Sequence, residues 1–339
     1  MKRIATLLAA LALALPVAGL AAKSSNPGKV YFRVGFASDA AGIATQPGTV
    51  LMGGSTDVDA AFRWLCSRAA GGDFLVIRAT GTDAYNPYVQ QLCPDMNSVA
   101  TLIVGSTTEA NSTFVSDTIR NAEIVWIAGG DQSSYVTHWT GTAVQARLNE
   151  HIHGGEPIGG TSAGMAVLTQ FIYSALGSQG ATSTQTLADP YNKYMTFARD
   201  LVGIPALANL ISDTHFVPRD RMGRALGFLC RVHAARWTTT PRAIAVDEET
   251  ALLVDERGEG SIVATPAAAT GNVYFIEGGA PEVCARRTPL TYRNVAVRRF
   301  GAGTTGIDVA GWPNRGGTLY EVSAVAGVLT STQPDGSAY

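Results

Sequence analysis

Two stretches of this chain carry residues arranged for acyl-transfer chemistry. The first is Gly159-Gly160-Thr161-Ser162-Ala163-Gly164, entered from Pro157-Ile158 and left through Met165-Ala166-Val167-Leu168. A serine hydroxyl attacks a carbonyl poorly unless a base takes its proton and donors hold the oxyanion. A strand-to-helix turn with small neighbours projects the hydroxyl and aims helix N-terminal amides at the reacting carbon. Gly160-Thr161-Ser162-Ala163-Gly164 has the Gly-x-Ser-x-Gly spacing of such a turn. The same residues also read as a tight turn whose serine merely caps a helix. The local pattern alone does not separate Ser162 the nucleophile from Ser162 the cap.

The second stretch supplies a base. The chain has five histidines. His138 follows Tyr135 on an expected helix and reads as packing or surface. His151 and His153 are expected in a polar turn, with no convincing third metal ligand beside them. His233 lies beyond a helix that contains Leu226 and Phe228. His215 differs, because it ends the apolar run Leu210-Ile211-Ser212-Asp213-Thr214-His215-Phe216, which reads as a strand end. Arg219, Arg221 and Arg224 follow directly. Guanidinium groups bind carboxylates in a forked geometry, so three of them beside a candidate base suit an acidic substrate. The competing reading is a solvated helix start, with Asp213 and Asp220 neutralising the arginines.

These residues must be positioned by a scaffold, and the hydrophobic pattern describes one. Val50-Leu51-Met52, Phe74-Leu75-Val76-Ile77, Thr101-Leu102-Ile103-Val104 and Ile124-Val125-Trp126-Ile127 are continuous apolar runs, which suits strands buried on both faces. Between them, residues 57–68, 111–121 and 142–151 show helical spacing. Strand, helix, strand at these intervals predicts an α/β fold: a mostly parallel sheet with helices on both faces. The turns Gly53-Gly54-Ser55, Gly129-Gly130-Asp131-Gln132 and Gly159-Gly160-Thr161-Ser162 end such runs. In open parallel sheets, sites form at the carboxyl ends of strands, so the three turns are expected on one rim. From about Arg242 the character changes. Residues 243–248 and 251–255 read as a strand pair around a Glu-Glu-Thr turn, and 273–275 and 290–298 as further strands. The Gly, Thr and Ser-rich tail from Gly301 to Tyr339 reads as a small β extension with a loose end.

Lys2 and Arg3, the apolar stretch 4–20 and the small residues that close it form the pattern of a secretory signal peptide, cleaved near Ala21 or Ala22. An uncleaved membrane anchor is the competing reading, disfavoured because the run is short for a span. The expected organisation is a signal peptide at 1–22, an α/β catalytic domain at 23–265 and a C-terminal β-rich extension at 266–339. The formal charge of −2 becomes about −4 without Lys2 and Arg3, which argues against a nucleic-acid binder. An exported chain, periplasmic or extracellular, meets oxidising conditions, so its four cysteines permit two disulfides. Of the three pairings, Cys66 with Cys93 and Cys230 with Cys284 are favoured as nearest in sequence. The spacing fits no zinc site.

Taken together, Gly129-Gly130-Asp131-Gln132, Gly160-Thr161-Ser162-Ala163-Gly164, Asp213-Thr214-His215-Phe216 with Arg219, Arg221 and Arg224, and Ala245-Val246-Asp247-Glu248-Glu249-Thr250-Ala251-Leu252 resemble the cyanophycinase family of serine peptidases. That family is related to dipeptidase E and shares the class I glutamine-amidotransferase-like fold. The resemblance runs from about Gly53 to Val254. It implies Ser162 as nucleophile, His215 as general base, and the amides of Ala163 and Gly130 as the oxyanion hole. Gln132, Asp213, Arg219, Arg221 and Arg224 would line the substrate cleft. No metal or organic cofactor is implied.

The implied activity is that of a cyanophycinase-like exopeptidase, which hydrolyses cyanophycin (multi-L-arginyl-poly-L-aspartate) to β-aspartyl-arginine dipeptides. An exported peptidase for another acidic aspartyl substrate is the alternative, as is an impaired binding protein that keeps the cleft. No nucleic-acid partner, and no membrane partner after signal cleavage, is expected; a homodimer is left open. One part departs from the pattern. The triad glutamate is expected between serine and histidine, where residues 157–247 contain none. Gln185 stands near the expected place, with Asp189 as the alternative. An amide would support the imidazole without charge, at a loss of up to about 10⁴ in turnover.

Overall fold

The computed structural model describes residues 31–339. The expected signal peptide therefore lies outside the described residues. In chain order the first half contains β1 (Tyr31–Gly35), β2 (Gly48–Met52), α1 (Asp59–Ser67), β3 (Asp73–Arg78), α2 (Tyr85–Leu92), β4 (Ser98–Ile103), α3 (Thr107–Ala110), α4 (Thr113–Arg120), β5 (Ile124–Ile127), α5 (Gln132–Trp139), α6 (Ala143–Gly154), β6 (Ile158–Thr161) and α7 (Ala163–Ala166). The second half continues with β7 (Phe171–Tyr173), α8 (Ser183–Ala188), β8 (Phe197–Arg199), β9 (Leu210–Asp213), α9 (Met222–Ala234), β10 (Arg242–Val246), β11 (Thr250–Asp255), β12 (Glu259–Ala264), β13 (Asn272–Glu277), β14 (Tyr292–Gly301), β15 (Ile307–Asp308), β16 (Thr318–Val325) and β17 (Val328–Ser331).

Two sheets carry the molecule. The first has the order β1-β4-β3-β5-β6-β2-β11-β12-β15, and its five central strands, β4, β3, β5, β6 and β2, are parallel. The apolar runs read from the sequence form four of these strands. They are continuous because both faces are covered. Val50, Met52, Phe74, Val76 and Trp126 pack on one side against Phe62 and Leu65 of α1 and Val89 of α2. Leu51, Leu75, Ile77, Val125 and Ile127 pack on the other against α4, α5 and α6. Strand residues alternate between the two faces, so every other side chain joins each core.

The second sheet has the order β17-β16-β14-β13-β10-β9-β7-β8, with β7, β9 and β10 parallel. Its inner face joins the core under α4 to α6 through Ile244, Val246, Val273 and Phe275. Its outer face packs on α9 through Ala243, Ala245, Tyr274 and Ile276.

Two sequence expectations are corrected here. β10 and β11 are not a hairpin pair around Glu248-Glu249-Thr250. β10 pairs with β9 and β13 in the second sheet, whereas β11 pairs with β2 and β12 in the first. Each strand is apolar on both faces and finds full cover only in a separate sheet, so residues 247–249 cross between sheets. The chain end is not loose either: Met222 N and Tyr339 Oη are 2.9 Å apart, and Tyr339 Oη donates to Asp220 at 2.7 Å. The C-terminal strands extend both sheets, β15 pairing with β12, and β13, β14, β16 and β17 continuing outward from β10. Disulfides join Cys66 to Cys93 and Cys230 to Cys284, the pairing favoured from sequence. Among the described residues, no helix is long and apolar enough to cross a membrane.

Candidate active site

The turn between β6 and α7 is tight because glycine allows it. A Cβ on Gly164 would lie 1.9 Å from the carbonyl oxygen of Ile127, and one on Gly160 would lie 2.7 Å from the carbonyl carbon of Gly164. The helix start can therefore fold directly over the ends of β5 and β6. At its apex Ser162 adopts φ 52° and ψ −115°, a conformation unusual for a side-chain-bearing residue. Its amide is fixed by Met52 O at 3.0 Å. Its side chain makes no capping hydrogen bond to α7. Instead Ser162 Oγ lies 2.7 Å from His215 Nε2. The capping reading of Ser162 thus fails locally, since its hydroxyl accepts no hydrogen bond from a helix amide.

His215 sits two residues past the end of β9, with φ 47°. Its amide donates to Gly53 O at 2.9 Å. Its ring is buried and rests against Gly54, where a Cβ would come within 2.4 Å of the imidazole Cε1. Glu248 sits two residues past the end of β10, the parallel neighbour of β9. Its Oε1 lies 2.5 Å from His215 Nδ1. Serine, histidine and glutamate therefore form one hydrogen-bonded line. Burial holds the imidazole below its ordinary pKa; the Glu248 hydrogen bond opposes this, and the positive charges of Arg219 and Arg221 add to it. A neutral imidazole is the form able to accept a hydroxyl proton.

Glu248 replaces the residues expected from sequence for this position. Gln185 is the third residue of a capping box on α8. Its side chain accepts from Thr182 N at 3.1 Å and its amide donates to Thr182 Oγ1 at 3.2 Å. Asp189 closes the same helix and accepts from Tyr191 N at 2.8 Å. Both are committed to local backbone and neither reaches His215. Asp247, beside Glu248, is fully buried and holds the chain beyond His215 through Val217 N at 3.1 Å.

A cavity of about 270 Å³ opens beside Ser162, lined by Gly130, Gln132, Ala163, Arg219, Arg221 and Arg224 among others. Gln132 begins α5 and reaches Tyr173 O at 3.4 Å. Arg219 is half exposed, with its Nε 3.7 Å from Glu248 Oε1. Arg221 donates to Thr214 O at 2.6 Å, and burial pulls its pKa down to about 10. Arg224 is buried in a forked pair with Asp213. Asp213 was expected to line the cleft. It lies behind the cavity instead, because Arg224 and Arg221 engage its carboxylate and Thr214 N binds it at 2.8 Å. Its part in the site is to hold the arginines.

The remaining histidines lie elsewhere. His138 is on α5 and His233 near the end of α9. His151 and His153 occupy the last turns of α6, not a polar turn, and His151 is buried between Pro157 O and Glu156.

Known proteins resemble parts of this chain. The model of peptidase family S51 matches residues 78–187, which include Ser162 but stop short of His215 and Glu248. A cyanophycinase of Geminocystis herdmanii is 25% identical over 191 residues, 55% of this chain and 62% of that protein. A cyanophycinase of a Nostoc species is 27% identical over 151 residues, 44% of this chain and 45% of that protein. The matches thus span about half to three-fifths of these relatives' lengths. The crystal structure of a peptidase from an acI-B1 Actinobacterium superposes with a TM-score of 0.50 at 14% identity, covering 77% of this chain and 97% of that one, a likeness of fold. By matched segment, by relatives and by fold, the chain resembles the peptidases of family S51 and the cyanophycinases.

Proposed function

We propose that the chain is a serine peptidase acting on an acidic, aspartyl-containing chain. The observation that carries this reading is the continuous line from Ser162 Oγ through His215 to Glu248. In the mechanism that follows, His215 Nε2 takes the hydroxyl proton as Ser162 Oγ attacks the scissile carbonyl. Glu248 fixes the ring with its proton on Nδ1 and stabilises the imidazolium that forms. The amides of Ala163 and Gly130 hold the oxyanion. His215 then returns the proton to the leaving amine, and a water repeats the sequence to release the acyl group.

The substrate reading comes from charge. Arg219, Arg221 and Arg224 border the cavity with Gln132; Arg224 is committed to Asp213, which leaves Arg219 and Arg221 as the charges open to substrate. Such a wall suits free carboxylates on the substrate. With the similarity to cyanophycinases, this favours cyanophycin, cut to β-aspartyl-arginine dipeptides. The Glu248 carboxylate beside His215 Nδ1 favours an enzyme over an impaired binding protein that keeps the cleft. Two disulfides fit an exported protein in an oxidising compartment.

The test incubates the purified full chain with cyanophycin. Release of β-aspartyl-arginine by the wild type but not by Ser162→Ala supports the substrate. No release, with labelling of Ser162 by a fluorophosphonate retained, would move the reading to another aspartyl peptide.

A further inference from the structure

Asp220 stands between Arg219 and Arg221, the two cavity arginines that Asp213 does not hold in a fork, and it is exposed. A carboxylate one residue from each guanidinium is placed to neutralise both, as the competing sequence reading expected. The structure shows another arrangement. Arg219 faces Glu248 at 3.7 Å, and Arg221 faces Asp213 at 3.5 Å. Among the described residues Asp220 forms no ion pair. Its Oδ1 accepts instead from Tyr339 Oη at 2.7 Å.

That contact comes from 119 residues further along the chain, and it is held from several sides. The Tyr339 hydroxyl donates to Asp220 and accepts from Met222 N at 2.9 Å. Met222 begins α9, so its amide has no partner inside the helix. The Tyr339 ring lies edge-on to Phe216, the neighbour of His215, with centroids 5.5 Å apart. The backbone around Tyr339 is fixed as well. Gln333 Nε2 donates to Ser337 O and Tyr339 O, both at 2.8 Å, and Tyr320 Oη of β16 donates to Ala338 O at 3.0 Å. Asp220 itself has φ 47°, a left-handed conformation that aspartate visits more readily than most residues. Its carbonyl accepts from Ser183 Oγ of α8 at 2.5 Å. The backbone of the arginine turn is thus pinned by α8, and its one carboxylate by Tyr339. Exposed ion pairs form and break at little cost. A carboxylate released by Tyr339 would therefore turn to an adjacent guanidinium and compete there with any incoming anion.

We propose that Tyr339 is a specificity-determining positioning residue: it holds the Asp220 carboxylate away from Arg219 and Arg221 and so keeps both guanidinium groups available to the carboxylates of an acidic peptide. That this peptide is the chain cleaved at Ser162 rests on the peptidase reading; that Tyr339 keeps the arginines able to bind an anion does not.

The experiment is calorimetric titration of the full chain carrying Ser162→Ala with tetra-L-aspartate. One peptide per chain is expected to bind, about tenfold more weakly in Arg221→Ala. Tyr339→Phe keeps the ring on Phe216 and loses both hydrogen bonds, and its affinity should also fall about tenfold. Asp220→Asn should change affinity by less than about twofold in the parent chain and should restore it in Tyr339→Phe, a coupling that lost packing would not give. No binding, no effect of Arg221→Ala, unchanged affinity in Tyr339→Phe, or an equal effect of Asp220→Asn in both backgrounds overturns the proposal. A Tyr339→Phe chain that circular dichroism shows to be unfolded overturns it too, since Tyr339 would then serve stability. Fluorophosphonate labelling of the wild type keeps the two readings apart. Labelling without the coupling overturns only the role of Tyr339, and the coupling without labelling overturns only the peptidase.

Discussion

Glu248 Oε1 stands 2.5 Å from His215 Nδ1 although 33 residues separate them. The cause is strand register. β9 and β10 are parallel neighbours with Ala245 opposite Asp213, so the residues that follow the two strands leave the sheet at the same end. The carboxylate reaches the imidazole from the residues that cross to the other sheet, where side chains are free to point at the rim.

Replacing Glu248 with Gln keeps the shape and removes the charge. Turnover is expected to fall by about 10³ to 10⁴, by the cost of the equivalent change in serine proteases. Gln185→Ala should leave turnover within twofold and cost about 1 kcal/mol of stability through its lost cap. Gln185→Glu should leave turnover unchanged. Steady-state kinetics and urea denaturation of the three variants check this. A loss of turnover in Gln185→Ala with Glu248→Gln unaffected would reverse the assignment.

The pH dependence has a definite sign. The base must be neutral, and its pKa lies below 6.5, held down by burial against the pull of Glu248. The value of kcat/KM should therefore rise with pH along an acid limb centred below 6.5 and level off above it. Arg219→Ala removes a charge that lowers this pKa, so the limb should move up. Glu248→Gln removes a charge that raises it, so the limb of the residual activity should move down. A wild-type limb centred above 6.5, or shifts of opposite sign, would contradict the account.

The sequence made the scaffold legible because buried parallel strands and amphipathic helices leave strong periodic signals. Val50-Leu51-Met52 and Ile124-Val125-Trp126-Ile127 lie where their apolar runs put them. The Ser162 turn and His215 were singled out from local features, glycine spacing and a strand end, and the structure brings the two side chains together. Glu248 was not. Which residue faces His215 depends on the pairing of β10 with β9, a contact between distant segments that local pattern does not encode. The hairpin expected around Glu248 and Glu249 hid it further. The resemblance implied Asp213 in the cleft, whereas the competing reading, in which it neutralises the arginines, matches its pairs with Arg221 and Arg224.

The forked pair of Asp213 and Arg224 is nearly closed to solvent, with side-chain exposures of 2% and 5%. Asp213→Ala leaves a buried guanidinium without its counter-charge. The expected cost is about 3–5 kcal/mol, read as a lower urea midpoint. A change below about 1 kcal/mol would show that water reaches Arg224.

Gly54 is required by contact and by conformation. Its φ is +107°, and an added Cβ would meet the His215 ring at 2.4 Å. Gly54→Ala should displace the imidazole and reduce kcat about 10²-fold or more, with KM much less affected. Retention of wild-type kcat would mean that the ring is not fixed by this contact.

The most direct measurement is the reaction of the protein with a fluorophosphonate, followed by mass mapping of the modified peptide. One label per chain on Ser162 is predicted, absent in Ser162→Ala and slowed in both Glu248→Gln and Gly54→Ala. An unmodified Ser162 under conditions where the wild type is folded, or a label on another residue that survives Ser162→Ala, would contradict it.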